Sequence, residues 1–257
     1  MTGAASSAVN LGGRSLTRIG LGTNRLTERA EHVAFVKDAV AAGIELVDTA
    51  HVYADGESER TLGTALSEGE DDVLVATKGG YGDGRPDVIA SQIEESLRRL
   101  QTDAIGLYYL HKVDGDVPIE ESVGAIKEQQ ERGRVRHVGV SNVSLEQLER
   151  ARKVASIEAV QNHYNLSERG SDDVIDHCAE QGIVFVPYFP LRAGGGAGVR
   201  EIADRRGATP AQVVLAWLLR RSPTMLPIPG TLSADHVREN LGALALELSE
   251  DEVASLR

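Results

Sequence analysis

The chain has 257 residues, of which 41% are hydrophobic and 26% are charged, and its formal net charge at pH 7 is −12. This composition is that of a globular protein and excludes a fibrous or disordered chain. The acidic excess argues against nucleic acid or an anionic membrane as the partner, because both repel a negative surface. A single cysteine, Cys178, excludes an internal disulfide framework and a cysteine-based zinc cluster.

The N-terminal segment Met1–Ala8 is small and polar, and it lacks the basic and apolar regions of a secretory signal. We expect it to be a frayed lead-in. No apolar run approaches the roughly 18 residues of a membrane-spanning helix. The sequence therefore predicts a cytoplasmic protein without a membrane partner, and the lone cysteine is consistent with a reducing compartment.

Short apolar runs alternate with longer amphipathic stretches along the chain. Several runs are apolar at consecutive positions, as strands buried on both faces are. The eight predicted strands are Thr17–Leu21, Ile44–Val47, Val73–Ala76, Ile105–Leu110, Val135–Val140, Ala159–Val160, Ile183–Val186 and Met225–Ile228. Eight strand–helix units in this length predict an α/β fold, a (β/α)8 TIM barrel, as one domain over residues 1–257.

A doubly wound α/β sheet is the alternative architecture, and its phosphate-binding fingerprint can be checked. That fingerprint has three glycines, whereas the candidate segment Gly20–Arg25, which reads GLGTNR, lacks the third.

Helix starts are also visible in the second half of the chain. Ser144 with Gln147 three residues on predicts a capping box, and Thr209 before Pro210 predicts an N-cap followed by proline.

Ionisable side chains follow three consecutive predicted strands, where barrels of this type carry their chemistry. Asp48 follows the second strand, Lys78 the third and His111 the fourth, and Tyr53 lies in the loop after Asp48. A phenol has a pKa near 10, and a neighbouring ammonium lowers it. Lys78, kept charged by Asp48, would let Tyr53 protonate a forming alkoxide, while His111 orients the carbonyl oxygen. Such a set supplies no hydride, so it predicts a cofactor.

Each of these residues also has an ordinary structural explanation. Asp48 could cap a helix, and Tyr53 could be a half-buried loop residue. Lys78 could pair with a surface acid, and His111 could be a hydrogen-bonded core histidine. Their joint position at neighbouring strand ends favours a catalytic site.

Three segments are similar to the motifs of one enzyme family. They are Asp48–Tyr53 followed by Gly56–Glu59, then Ile93–His111, which reads IEESLRRLQTDAIGLYYLH, and Gly133–Asn142, which reads GRVRHVGVSN. On these segments the chain resembles the aldo-keto reductases over nearly its whole length. Its second half is most similar to the bacterial pyridoxal reductase-like members.

The resemblance implies an NAD(P)H-dependent enzyme that reduces an aldehyde or ketone to the alcohol. In that family pattern Tyr53 is the proton donor and Lys78 modulates its pKa. Asp48 pairs with the lysine, and His111 positions the substrate carbonyl. The resemblance implies NADP as the cofactor, no metal, and a monomer whose partner is a small-molecule carbonyl substrate.

The resemblance also implies where the cofactor binds. Ser141, Asn142 and Gln161 would hold the nicotinamide carboxamide, and Tyr188 would stack under the ring. The glycine-rich stretch Leu191–Gly198 would strap the pyrophosphate, since free backbone N–H groups suit an anion. The implied cofactor-binding residues are Gly22, Thr23, Asn24, Asp48, Ser141, Asn142, Gln161, Tyr188, Phe189, Pro190, Leu191, Ile228, then Gly230 and Thr231 near the ribose phosphate, and His236, Glu239 and Asn240 near the adenine.

Departures from the family pattern concern phosphate recognition and pocket polarity. Gly230 and His236 stand where many members have a lysine and an arginine that recognise the 2′-phosphate of NADP, so NAD stays an alternative cofactor. Thr231, Ser233, His236 and Arg238 are the remaining candidates for that phosphate. Asn24 and Lys112 stand where aromatic residues are common. They predict a more open, more polar pocket that favours a carbonyl substrate bearing a hydroxyl, carboxylate or phosphate.

Two other functions stay open from the sequence. A lysine at a barrel strand end can form a Schiff base, which would make Lys78 the nucleophile of an aldolase. That reading leaves Ser141, Asn142 and Gln161 unexplained. A protein of this fold can also bind NADP and regulate a partner with little or no turnover, although the intact set of four ionisable residues argues against it.

Overall fold

The computed structural model describes residues 7–67, 73–192 and 195–256. In this part of the chain a parallel sheet runs in sequence order, each strand pairing with the next. Its strands are β3 (Leu21–Gly22), β4 (Leu46–Asp48), β5 (Leu74–Gly79), β6 (Ile105–Leu110), β7 (Val135–Ser141), β8 (Ile157–Gln161) and β9 (Val184–Phe185). Parallel order with helical crossovers is the topology of a (β/α)8 barrel, and the predicted fold class is confirmed.

The helices follow the strands and cover the outer face of the sheet. They are α1 (Ala30–Ala41), α2 (Glu57–Leu66), α3 (Pro86–Leu100), α4 (Ile119–Glu131), α5 (Leu145–Arg152), α6 (Asp172–Gln181), α7 (Ala197–Arg206), α8 (Pro210–Arg221), α9 (Ala234–Leu241) and α10 (Glu250–Ser255). The capping boxes at Ser144 and Thr209 are both present. None of the helices described here is long and apolar enough to span a membrane.

Alternate residues of each strand belong to two different apolar clusters. On β4, Leu46 belongs to the cluster inside the barrel, and Val47 belongs to the cluster between the sheet and the helices. On β6, Leu107 and Tyr109 face inward while Tyr108 packs outward. Because strand side chains alternate between faces, the next inward positions at the carboxyl ends are those of the ionisable residues.

The eighth predicted strand, Met225–Ile228, is extended but does not form a hydrogen-bonded strand. Leu226 donates its N–H to Phe185 O of β9, and Gly20 and Gly22 donate theirs to the carbonyls of Pro227 and Pro229. Because proline has no N–H, Pro227 and Pro229 accept hydrogen bonds from the chain around β3 but donate none to it. The segment still closes the barrel, with a parallel bridge between Gly22 and Gly230.

The first predicted strand, Thr17–Leu21, is also wrong in its bounds. Thr17 ends a hairpin strand, β2 (Arg14–Thr17), which pairs antiparallel with β1 (Ala8–Leu11). The barrel strand itself is only Leu21–Gly22. Of the other six predicted strands, Ile105–Leu110 is found with the same ends, and each of the remaining five has at least one end shifted by one to three residues.

The hairpin β1–β2 was not predicted, and it covers the N-terminal end of the barrel. Its Gly12–Gly13 turn has φ of 59° and 84°, which fits the two-residue turns of hairpins. Leu11 and Leu16 belong to the cluster inside the barrel. The expected frayed lead-in is therefore wrong for Ala8, which begins β1, while residues 1–6 lie outside the described residues.

Candidate active site

A buried ion pair joins the ends of β4 and β5. Lys78 Nζ donates to Asp48 Oδ1 at 2.6 Å and to Thr49 O at 2.7 Å, and both charged side chains are at most 3% exposed. Gln161, at the end of β8, donates its Nε2 to the other carboxylate oxygen of Asp48 at 2.7 Å. Burial lowers the pKa of Lys78, but the attraction of Asp48 and Tyr53 outweighs it, so the net pKa is raised and the lysine is an ammonium.

Tyr53 lies over this ion pair. Its hydroxyl is 3.5 Å from Lys78 Nζ, and the ammonium is 5.0 Å from the centre of its ring. Burial raises the pKa of Tyr53, Lys78 works against that, and Asp48 adds to it, so that the net shift is upward. The predicted lowering of this pKa by the ammonium is present, but desolvation of the phenolate exceeds it. At neutral pH Tyr53 holds its proton.

The loop that carries Tyr53 has an unusual backbone. Ala54 and Asp55 have φ of 48° and 51°, and Gly56 follows at 83°. The left-handed region costs a non-glycine residue roughly 1–2 kcal/mol. Two such residues directly after Tyr53 persist only where neighbouring groups fix the loop.

His111 follows β6 and faces the same space. Its ring meets the Tyr53 ring edge-on with the ring centres 6.1 Å apart, and the centre of the tilted Tyr81 ring is 4.9 Å away. Burial and the nearby Lys78 lower the pKa of His111 to about 3, so the imidazole is neutral. Its Nδ1 is buried and has no hydrogen-bond partner in the part of the chain that the structure describes. A neutral imidazole can donate one hydrogen bond to a carbonyl oxygen. Unlike an imidazolium, it does not compete with Tyr53 as the proton donor.

A second group of polar side chains lies at the end of β7. Asn142 donates its Nδ2 to His111 O and to Ser141 Oγ, each at 3.0 Å, and it accepts a bond from the Tyr188 hydroxyl at 2.8 Å. One face of the Tyr188 ring stacks on His163, with the ring centres 5.1 Å apart. The structure thus brings Ser141, Asn142 and Tyr188 together beside His111.

A cavity of about 1110 Å³ opens over these residues. Most of the predicted site residues line it, and Lys78 lies beneath its floor. The predicted residues on its wall are Gly22, Thr23, Asn24, Asp48, Tyr53, His111, Ser141, Asn142, Gln161, Tyr188, Phe189, Pro190, Leu191, Ile228 and Gly230.

Four of the predicted cofactor residues lie outside this lining: Thr231, His236, Glu239 and Asn240. Thr231 follows Gly230 directly, and its hydroxyl is 3.3 Å from His236 Nδ1. Their roles stay predictions. Of the predicted strap Leu191–Gly198, residues 193–194 lie outside the described residues, and α7 begins at Ala197.

The cavity wall also contains residues that the sequence analysis did not assign to the site. They are Arg25, Val52, Tyr81 and Pro229, and Arg192 of the predicted strap also lines the wall. All lie in segments that follow strands, and this position was the signal that could have found them. Val52 and Tyr81 are exposed, as is Phe189, so the mouth of the cavity is partly apolar.

Three cations line the cavity without a carboxylate partner. Arg25 donates to Gly230 O at 2.8 Å, Arg192 stacks over the Phe189 ring at 4.9 Å, and Lys112 follows His111. No ion pair to any of them is found among the described residues. The acidic residue of the lining, Asp48, is neutralised by Lys78. The cavity is therefore positive in a protein whose net charge is −12.

A barrel with four ionisable residues at its strand ends has the architecture of an enzyme. Comparison with known protein families identifies its class. A model of the aldo/keto reductase family matches residues 18–198 and 195–257. The chain belongs to this family and is an oxidoreductase.

Curated relatives match nearly the full chain. Pyridoxine 4-dehydrogenase of Escherichia coli (strain K12) is 36% identical over 281 residues, which cover 98% of each chain. Probable aldo-keto reductase 1 of Glycine max is 33% identical over 309 residues, covering 100% of this chain and 89% of the relative.

Solved structures show the same fold. An aldo/keto reductase from Klebsiella pneumoniae in complex with NADP and acetate superposes with a TM-score of 0.89 at 33% identity, over 98% of this chain and 94% of that one. An aldo-keto reductase from Klebsiella pneumoniae in complex with NADPH gives the same TM-score and identity over 97% and 93%.

Proposed function

We propose that this protein reduces an aldehyde or ketone to the alcohol with NADPH, and that Tyr53 donates the proton. The observation that carries the proposal is the contact of a protonated, half-buried phenol with the Lys78–Asp48 pair on the floor of a large cavity. A general acid in such a place can protonate an alkoxide as it forms.

Tyr53, Lys78, Asp48 and His111 each have a different role in proton transfer. Tyr53 holds the proton at its hydroxyl, and the Lys78 ammonium stabilises the phenolate left after donation. Asp48 keeps Lys78 charged in a buried position, and Gln161 fixes the carboxylate. His111, being neutral, donates a hydrogen bond to the substrate oxygen and orients the carbonyl toward the phenol.

The cavity fits a nicotinamide dinucleotide. Its volume exceeds the range of roughly 300–1,000 Å³ for a pocket that holds one drug-sized ligand, which leaves room for a cofactor and a substrate. At Gly22 the wall is backbone, and a Cβ there would lie 2.9 Å from Ile228 O. Arg25 and Arg192 carry charge suited to phosphates. When bound, the nicotinamide supplies the hydride.

The choice of NADP over NAD belongs to this proposal. Two structural relatives were solved in complex with NADP or NADPH. At the adenosine end, Thr231 and His236 contact each other beside Gly230, while Arg238 pairs with Asp235 at 2.9 Å. This set would recognise the 2′-phosphate with hydrogen bonds more than with a free cation.

The substrate is a small carbonyl compound. Tyr81 and Tyr188 present aromatic surface to the cavity, which suits a planar aldehyde. The Escherichia coli relative is named for pyridoxine, so pyridoxal belongs in the substrate panel. The protein is expected to act as a cytoplasmic, single-domain monomer, and its buried unpaired Cys178 suits a reducing compartment.

The aldolase alternative has little support from the site. A Schiff-base lysine must lose its proton to attack, whereas Lys78 is held charged by a carboxylate 2.6 Å away. No contact among the described residues specifically supports the other alternative, a protein that binds NADP and regulates a partner.

The test measures oxidation of NADPH and of NADH against aldehydes and ketones, including pyridoxal, for the native protein and Tyr53→Phe. We expect turnover with NADPH, and a fall in kcat of at least about 100-fold in the variant, the scale of a lost general acid. Cofactor affinity should change little. Near-native turnover by Tyr53→Phe would refute the proton-donor role, and absence of turnover with either cofactor would refute the reductase.

A further inference from the structure

A guanidinium holds the outer side of the loop that carries Tyr53. Arg99, in the last turn of α3, donates its Nη1 to His51 O at 2.9 Å. The same group lies flat against Gly56, where a Cβ would come within 2.3 Å of Arg99 Cζ. Arg99 therefore touches the loop two residues before Tyr53 and three residues after it, and it spans the left-handed turn between them.

Arg99 is itself fixed by two carboxylates. Its Nη1 is 3.2 Å from Glu59 Oε2, and its Nη2 donates to Glu95 Oε1 at 2.6 Å. Glu59 is fully buried, and its other oxygen accepts a hydrogen bond from Thr77 Oγ1 at 2.6 Å. A guanidinium is a rigid planar fork, so these bonds fix its orientation as well as its position.

Thr77 and Lys78 are neighbours on β5, and their side chains point to opposite faces of the sheet. On the inner face Lys78 binds Thr49 O at 2.7 Å, and on the outer face Thr77 binds Glu59. One strand thus anchors the loop twice, through Lys78 at its start and through Glu59 and Arg99 at its turn.

We propose that Glu59 and Arg99 are positioning residues for proton transfer, which hold the loop Thr49–Gly56 so that the Tyr53 hydroxyl stays beside Lys78. The proposal rests on the proposed function, in which Tyr53 donates the proton. Neither residue lines the cavity, so neither touches substrate or cofactor. A shift of about 1 Å in a reacting group can cost about 100-fold in rate.

The test uses Arg99→Ala in the full chain, with Arg98→Ala as the control, because Arg98 is the preceding, exposed arginine on the same helix. We expect kcat of Arg99→Ala to fall about 10- to 100-fold, with KM for aldehyde and Kd for NADPH within about 2-fold. Added guanidinium ion should restore part of kcat to Arg99→Ala and leave Arg98→Ala unchanged. A fall in kcat without rescue, accompanied by an equal loss of NADPH affinity, would show a purely structural role and overturn the proposal.

The double variant Arg99→Ala/Tyr53→Phe separates this proposal from the proposed function. If Arg99 acts through Tyr53, its replacement should reduce kcat much less in the Tyr53→Phe background than in the native one. Fully additive losses would overturn the positioning role while leaving Tyr53 as the donor. A small effect of Tyr53→Phe alone would refute the proposed function instead.

A second variant covers the case in which Arg99→Ala does not fold. Thr77→Val keeps the shape of the buried side chain and removes the hydrogen bond to Glu59. We expect a fall in kcat of roughly 2- to 10-fold, an unchanged KM, and native circular dichroism. Native kcat in folded Thr77→Val would contradict the role of this chain of contacts.

Discussion

Among the single residues of the site, Lys112 differs from the other two cavity cations. Arg25 and Arg192 each contact another group of the protein, whereas Lys112 is exposed and has no ion-pair partner among the described residues. It directly follows His111, the residue expected to orient the carbonyl. With His111 in that role, the Lys112 charge would lie at the substrate end of the cavity and would attract an anionic group on the substrate.

Replacing Lys112 should change the charge preference of the enzyme. We expect Lys112→Met to lower kcat/KM for 4-carboxybenzaldehyde about 2- to 5-fold, because an exposed charge pair contributes at most about 1 kcal/mol. The neutral ester methyl 4-formylbenzoate should be unaffected. Steady-state kinetics with both aldehydes at low and high salt measures the effect, which should shrink as salt rises.

The matched control for that comparison is Lys127→Met, which removes a partly exposed lysine on α4 that faces Glu131 instead of the cavity. It should leave the ratio of the two aldehydes unchanged. An unchanged ratio in Lys112→Met as well would remove Lys112 from substrate selection.

Among the elements, the segment 225–230 depends on one buried arginine. Arg18, between β2 and β3, is 1% exposed and donates its Nε to Met225 O at 3.0 Å. Its Nη2 donates to Leu219 O at 2.8 Å and also bonds Ser222 O. Burial lowers the pKa of Arg18 to about 10, which leaves it charged at neutral pH. Arg18 thus satisfies the carbonyls that end α8 and start the closing segment.

The variant Arg18→Met keeps the length of the side chain and removes every donor. We expect it to lower the free energy of unfolding by about 3 kcal/mol, because an unsatisfied buried carbonyl costs roughly 1–3 kcal/mol. Urea unfolding followed by the fluorescence of Trp217, the single tryptophan, measures the change. Arg29→Met, at an exposed arginine paired with Glu31, is the control and should cost less than about 0.5 kcal/mol. Equal stability of the two variants would contradict this role of Arg18.

The whole molecule should lose stability in mild acid because of His111. In the unfolded chain this histidine binds a proton below about pH 6.5, whereas in the folded protein its pKa is about 3. The unfolded state therefore takes up the proton first, and stability falls as pH drops from about 6.5 toward 3. The loss amounts to about 1.4 kcal/mol per pH unit, or about 2 kcal/mol between pH 6.5 and 5.

Urea unfolding of the native protein and His111→Gln at several pH values tests this dependence. We expect the variant to lose less stability than the native protein between pH 6.5 and 5, since glutamine does not titrate. Identical slopes for the native protein and His111→Gln would show that this histidine is not held neutral by the fold.

The sequence predicted the fold because apolar runs report burial, and strands buried on both faces leave that signal at regular spacing. It failed where backbone hydrogen bonds decide. Pro227 and Pro229 keep the eighth segment from forming a ladder, although the side chains of Met225 and Ile228 are as buried as those of a strand. The hairpin had a visible signal in Gly12–Gly13, but a two-residue turn between short strands is easily passed over.

The residue types of the site could be predicted from the sequence. The pKa shifts of these residues and the contacts that hold them in place could not. Asp48, Tyr53, Lys78 and His111 meet as expected, because strand ends converge at one edge of a barrel. The upward pKa shift of Tyr53 depends on how deeply it is buried, which spacing does not show. The contact of Arg99 with the Tyr53 loop depends on where α3 ends relative to that loop, and only the packed structure contains this.

The border between β3 and the segment 225–230 has a consequence for how the barrel opens. Gly20 and Gly22 donate to carbonyls of prolines that donate nothing back, so fewer backbone bonds resist separation at this line. Gly22 lies on one side of it and Gly230 on the other, and both line the cavity. A molecule that binds to both sides of this border dissociates when the barrel opens there. Its binding free energy therefore stabilises the closed barrel. The cellular supply of the cofactor would then set how often this line opens, and with it how fast the amide hydrogens beside it exchange with water.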